Sequence, residues 1–207
     1  MKYRRTIFIL VTLFSGLAAQ TPSLYVLQGF SAHSELQNPH GFGFSLDIPL
    51  KNQKIDLSAD WAFLTNQRNY YGYLMNGFFP GQPPKKEHVQ SYSFCRGYRL
   101  TLLLTFYSSL KQDFRGGLGL GYYSFSGYRK GLDSGGRVDL FGAERYGMNL
   151  MLSYRRFALF ESKFNFITGL RFNSMLTPAG LATDVENVFS GDIPFIEFQV
   201  GLSYALW

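Results

Sequence analysis

Cysteine, charge and long apolar runs are all scarce in this chain. Cys95 is the single cysteine in 207 residues, so no internal disulfide can form. Charged residues make up only 16% of the sequence. None of the Lys and Arg residues cluster with interleaved aromatics, so nucleic acid is not an expected partner. The 3 histidines do not sit at metal-ligand spacing with Cys95 or a carboxylate, and neither a metal nor another cofactor is expected. No apolar run reaches the roughly 20 residues of a membrane helix, and the mean hydropathy of −0.06 excludes a multi-helix membrane protein. What the chain does have is rings and glycine. Aromatics are 18% of residues, with 21 Phe, 14 Tyr and 22 Gly. That balance is unusual for a soluble enzyme but suits one ordered domain.

The first segment reads as a targeting signal. Met1 to Arg5 is basic, Ile7 to Phe14 is apolar, and Ser15 to Gln20 is rich in small residues. This is the layout of a secretory signal peptide over residues 1–20, with Gly16 and Ala18 placed for a cut after Ala18. Residues 21–207 then form one domain. The leader holds Lys2, Arg4 and Arg5 and no acid, so the rest carries 17 bases against 14 acids. The basic balance of the full chain is partly the leader's.

The remainder alternates with a period of two, the signature of strands with one apolar face. In Ile196 to Leu206 the even positions are all apolar or aromatic and the odd ones polar or small. The pattern predicts eight strands near 24–34, 40–50, 54–66, 94–108, 113–127, 143–156, 161–174 and 194–206. The first of these has ambiguous parity. Tight turns at 51–53, 109–112 and 157–160 alternate with longer loops at 35–39, 67–93, 128–142 and 175–193. Pro80-Gly81, Pro83-Pro84, Gly135-Gly136 and Pro178 punctuate the long ones.

Alternation alone fits two barrels of opposite polarity. A soluble lipocalin-like carrier points the apolar face inward, whereas a transmembrane barrel points it at lipid. Aromatics near strand ends on the apolar face, including Tyr98, Phe106, Tyr122, Tyr146, Tyr154 and Tyr204, favour the second. So does a polar face mixing Gly and Ser with both charge signs, and so do tight turns confined to one end. The segment Gln199-Val200-Gly201-Leu202-Ser203-Tyr204-Ala205-Leu206 resembles the C-terminal signal of bacterial outer-membrane barrels, with Trp207 an extra residue past the usual terminus. Over residues 22–207 the pattern is similar to the small eight-stranded OmpA-transmembrane and OmpX class. The resemblance implies an all-β, antiparallel, up-and-down transmembrane β-barrel with both termini periplasmic, in the outer membrane of a Gram-negative bacterium. It implies insertion by the barrel-assembly machinery.

Parity assigns to the lumen Asp47, Lys54, Asp56, Asp60, Arg99, Arg115, Arg145, Arg155, Lys163, Arg171 and Glu197. Charges in so narrow a space need partners. Neighbouring strands suggest Arg171 with Glu197 and Asp60 with Arg99. Gly117, Gly119 and Gly121 either bend their strand or leave room for Tyr123 and Phe125. A filled lumen argues for a structural, adhesion or envelope-interaction role without enzymatic chemistry. A small channel for hydrophobic or anionic solutes is the alternative. A lipid A-modifying enzyme is less favoured. His33 and Ser34 point to opposite faces of a strand, and His40 beside the first loop and His88 in the second read as rim or loop histidines. No catalytic, cofactor-binding or metal residue is therefore assigned. Tyr70, Tyr71 and Tyr73 offer either a contact surface or a headgroup anchor. Lys85, Lys86, Arg129 and Lys130 are placed to meet lipopolysaccharide phosphates. An envelope or surface protein could dock through the loops.

Overall fold

A computed structural model describes residues 20–32, 36–50, 54–74, 86–158, 162–176 and 193–205, and only the backbone of Phe141. The leader through Ala19, His33-Ser34-Glu35, the 51–53 turn, the Pro80-Gly81 and Pro83-Pro84 pairs, Lys85, Pro178 and Leu206-Trp207 lie outside the described residues.

The eight expected strands are present. They are β1 (Thr21–Ser31), β2 (His40–Pro49), β3 (Ile55–Tyr73), β4 (Lys86–Ser108), β5 (Gln112–Gly131), β6 (Arg137–Arg156), β7 (Phe164–Leu176) and β8 (Ile193–Tyr204). Each pairs antiparallel with the next, and β8 returns to β1 to close the barrel. Closure leaves no strand edge along the shared height of the ring, which is what a lipid-embedded sheet requires.

The register fixes the geometry. Followed strand by strand, Ser23 leads to Ser45, Asp60, Arg99, Gly121, Gly147, Met175 and finally Ile193. Yet Ser23 itself pairs with Ser203, ten residues further along β8. A stagger of ten over eight strands corresponds to a tilt of about 40° at ordinary sheet spacings. Residues far apart in register are thereby brought to one height in the barrel.

The alternation resolves as an apolar outside. Leu100, Leu102, Leu104, Leu118, Leu120, Leu150, Leu152 and Leu170 are all exposed. In β1, whose parity the sequence left open, Leu24, Val26 and Phe30 face out while Tyr25 and Leu27 face in. Rings border the leucines at both ends. Tyr98, Tyr122 and Tyr146 sit in contact at one border, with ring centroids 6.2 and 5.4 Å apart. Phe106, Phe114 and Tyr154 make the other, joined by Phe164 against Tyr204. From Tyr98 to Phe106 the rise is about 20 Å, close to the ~25 Å apolar band of outer-membrane barrels.

Two expectations need correction. The connections at 67–93 and 128–142 are mostly strand, because β3 runs on to Tyr73, β4 begins at Lys86 and β5 and β6 reach Gly131 and Arg137. β1, β2, β7 and β8 stop much sooner, at 10 to 13 residues against 19 to 23. One half of the barrel therefore rises as a four-stranded wall, and β4 continues roughly 30 Å beyond Tyr98. Beyond the border the outward face no longer has to be apolar and the inward face buries polar residues such as Glu87, Ser91 and Ser93, so the two-residue hydrophobic pattern fades while the hydrogen-bonded ladder persists. The second correction concerns Lys54 and Lys163. Parity places both in the lumen, but both are exposed in turns, where alternation no longer governs direction.

Candidate functional site

The lumen is the first place to look for function, and it is filled in layers. At mid-height the tilt gathers Tyr25, Asp60, Arg99, Arg171 and Glu197 from five strands, all buried. Arg99 donates from Nε to Asp60 and from Nη1 to Glu197 Oε2 at 2.5 Å. Arg171 Nη1 donates to Asp60 Oδ1 at 3.0 Å, and the Tyr25 hydroxyl donates to the other Asp60 oxygen. The expected Asp60–Arg99 pair is thus present. Arg171, however, reaches across the lumen to Asp60, although Glu197 is its register neighbour on β8. The physical reason is the stagger, which sets β3 and β7 side chains at one height, so that a long arginine spans the bore. Two acids and two bases give this layer no net charge.

A second ionic layer lies nearer the tight turns. Arg115 Nη1 donates to Asp47 at 2.7 Å and to Asp56 at 3.0 Å, Ser58 donates to Asp47 at 2.7 Å, and Arg155 Nη2 donates to Asp113 at 2.6 Å. Asp113 was not expected among the lumen charges, although it lies on the same face of β5 as Arg115. A small cavity between the layers, bordered by Ser23, Ser45, Ser58 and Gln199, has room for about one water.

Above the ions is an apolar layer that alternation foretold only in part. Leu64, Cys95 and Phe195 stand on the face expected to be polar, Phe125 fills the lumen as one of the two expected readings has it, and with Leu27, Met175 and Ile193 they pack into one buried cluster. Tyr123 meets Phe195 edge to face at 6.2 Å and donates its hydroxyl to Asn173 at 2.7 Å. Gly121 serves this layer, since a Cβ there would come within 2.6 Å of the Tyr123 ring. Leu36, from the β1–β2 connection, closes over the cluster. Among the described residues, two ion layers and a layer of packed hydrocarbon thus follow one another along the lumen.

The two described histidines, His40 and His88, lie on different strands, and His33 is outside the described residues. His40 is exposed at the start of β2. His88 is on the outside of the wall, 3.4 Å from Asp133 and against the Tyr71 ring. Among the described residues no group of three His, Cys, Asp or Glu is placed to hold a metal ion.

The outer face of the wall is the second candidate. Immediately beyond the tyrosine border the lipid-facing parity carries Arg96, Ser124 and Glu144, which are register neighbours across β4, β5 and β6. Farther out come Phe94, Tyr92 and Tyr128, with Tyr92 and Tyr128 stacked at 4.7 Å. The Arg137 guanidinium lies 4.1 Å over Tyr128, and Lys130 is its register neighbour. Tyr71 and Tyr73 lie on β3 beside them, both well past the tyrosine border, so neither sits at headgroup level. Arg129, placed by sequence on the surface, is turned inward and buried. Arg96 was missed because it occupies a lipid-parity position inside an expected strand. The hint was a charge between two rings, Phe94 and Tyr98, on the apolar side.

No protein-family model matches this chain, and no curated protein matches it. Its fold is nevertheless found among solved structures of small outer-membrane barrels. A major outer membrane protein of Thermus thermophilus superposes with a TM-score of 0.58 at 13% identity, over 91% of this chain and 100% of that one. The attachment invasion locus protein Ail of Yersinia pestis superposes with a TM-score of 0.53 at 9% identity, over 92% and 99%. At such identities the likeness is one of fold.

Proposed function

We propose that this chain is an integral outer-membrane protein of a Gram-negative bacterium, exported by a cleaved leader over residues 1–20. It acts through the surface it carries outside the bilayer, without enzymatic chemistry and without conducting solutes. The observation that carries this reading is the contrast between the two candidate sites. The lumen is spent on ion pairs and packed hydrocarbon, while β3 to β6 hold a broad, chemically varied wall clear of the membrane. The tight turns and both chain ends then face the periplasm, and the wall faces outward. Its partners are lipopolysaccharide and an envelope or surface protein, after insertion by the barrel-assembly machinery. Sharing a fold with an attachment invasion locus protein is consistent with a contact role.

Three measurements test the reading. Outer-membrane fractions run unheated and boiled on SDS gels should show a band whose mobility changes on boiling, as closed barrels resist SDS. A soluble periplasmic band without that change would overturn the membrane assignment. In planar bilayers the refolded protein should give no stepwise current up to voltages at which the bilayer itself holds. Regular unitary steps would replace the contact reading with the channel reading. Loss of acyl chains from purified lipid A, abolished by His33→Ala, would overturn the non-enzymatic part.

A further inference from the structure

The outer flank of β4, β5 and β6 continues the lipid-facing surface without a break. Leu100, Leu102, Leu118 and Leu120 lead up to Tyr98, Tyr122 and Tyr146, and the same parity then delivers Arg96. Arg96 is exposed, and among the described residues it has no ion-pair partner. A guanidinium one step beyond an aromatic border stands at the depth where lipid phosphates lie. Next come three rings, Phe94, Tyr92 and Tyr128, whose exposed edges and faces form an amphipathic strip. Beyond them lie two more bases, Lys130 and Arg137, about 20 Å from Arg96 along the strands. Lys130 also lacks an ion-pair partner among the described residues. The acids of this flank are engaged. Asp139 holds Arg137 at 2.9 Å, and Glu144 accepts from Tyr122. On the opposite flank β1, β2, β7 and β8 end close to the border and, among the described residues, present no comparable surface.

We infer that this flank binds one phosphorylated glycolipid of the outer leaflet, a lipopolysaccharide-class molecule. The inference rests on the membrane reading above and names the partner's place on the wall. Three zones in sequence match three parts of such a molecule. Its acyl chains lie on the leucines, its membrane-level phosphate meets Arg96, and its first sugars lie across Phe94, Tyr92 and Tyr128. A second anionic group farther along the saccharide meets Lys130 and Arg137. Tyrosine faces suit sugar rings, which present C–H on one side and hydroxyls at the rim. An arginine fork suits a phosphate, with two parallel donors. A phospholipid satisfies the first two zones only, since its headgroup ends where the ring strip begins.

The test uses the full mature chain refolded in neutral detergent micelles and titrated with rough-chemotype lipopolysaccharide carrying lipid A and inner core. Arg96→Gln/Lys130→Gln/Arg137→Gln removes the three bases from exposed positions. Lys54→Gln/Lys111→Gln/Arg156→Gln removes three bases at the opposite end of the barrel and serves as the charge-matched control. The expected result is an affinity loss of roughly tenfold or more for the first set, with the control near wild type. Dephosphorylated lipopolysaccharide should bind wild type as weakly as the intact form binds the first set. Tyr92→Ala should weaken the intact form but not a phosphatidylglycerol vesicle. Equal losses for the two triple variants would overturn the site in favour of general charge attraction, as would unchanged binding after dephosphorylation. The boiling-dependent gel shift of each variant reports the barrel separately, so a failed membrane reading and a failed binding site give different results.

Discussion

Arg99→Met is expected to lower barrel stability by about 3–5 kcal/mol, the usual cost of removing one member of a buried ion network. Arg99 is the residue that holds both acids of the middle layer, Asp60 and Glu197. Without it Asp60 keeps Arg171 and Tyr25, but among the described residues Glu197 is left with Gln199 alone, at 3.5 Å. A buried carboxylate so poorly partnered is the expensive species, far more than a lost attraction. It follows that adding Glu197→Gln to Arg99→Met should recover a large part of the loss, since the layer is then neutral again with one intact Asp60–Arg171 pair. Urea unfolding of the three variants in phospholipid vesicles, followed by tryptophan fluorescence, measures this directly. If the double variant were less stable than Arg99→Met alone, the cross-lumen network would not be the organising feature of the interior.

A second large effect is expected at Gly201, in the strand that closes the ring. A Cβ at this position would overlap the carbonyl oxygen of Leu24 and lie 2.6 Å from the Tyr25 Cα, both backbone atoms of β1 that cannot turn aside. Gly201→Val should therefore separate the β1–β8 seam and reduce the heat-resistant folded band roughly tenfold or more. Gly116→Ala makes the comparison, because the nearest atoms there are side-chain carbons of Leu152 and Phe106 at 3.3 Å, which can shift. A Gly201→Val protein that folds as well as Gly116→Ala would show that β1 and β8 do not approach as described. Gly201, in the segment that resembles an outer-membrane C-terminal signal, thus has a packing reason of its own in this chain.

The number, direction and polarity of the strands were legible because lipid imposes a strict rule on them. Every second side chain from Leu118 to Tyr122 must tolerate hydrocarbon, and a two-residue period is easy to see. The rule stops at the membrane border, and legibility stopped with it. Asn69 to Tyr73 looked like loop because neither face there is forced to be apolar, and yet the segment is strand. The interior was harder for another reason. Arg171 and Asp60 are 111 residues apart, and only the barrel's stagger places them together. Reading neighbours along the hairpins found Asp60 with Arg99 and misplaced Arg171. Phe125 was read as a possible lumen filler, but its neighbours Leu64 and Cys95 were hidden because polar parity says where a side chain points, not that the lumen there must be wet. Arg96 was visible as a charge out of place, but its meaning depended on lying just past the Tyr98 row.

The pairing of β1 with β8 sets a timetable. Ser23 finds its partner Ser203 only after β2 to β8 have all been made, whereas every other neighbouring pair is local. Local hairpins zip quickly, and contacts of such long sequence separation form slowly. The chain must therefore pass through an open curled sheet whose first and last strands both present unpaired backbone to any other chain nearby. The same last strand that completes the ring carries the segment resembling an assembly signal. Delivery of β8 to the membrane, and not the making of any hairpin before it, is then the step at which this protein commits either to a closed barrel or to aggregation.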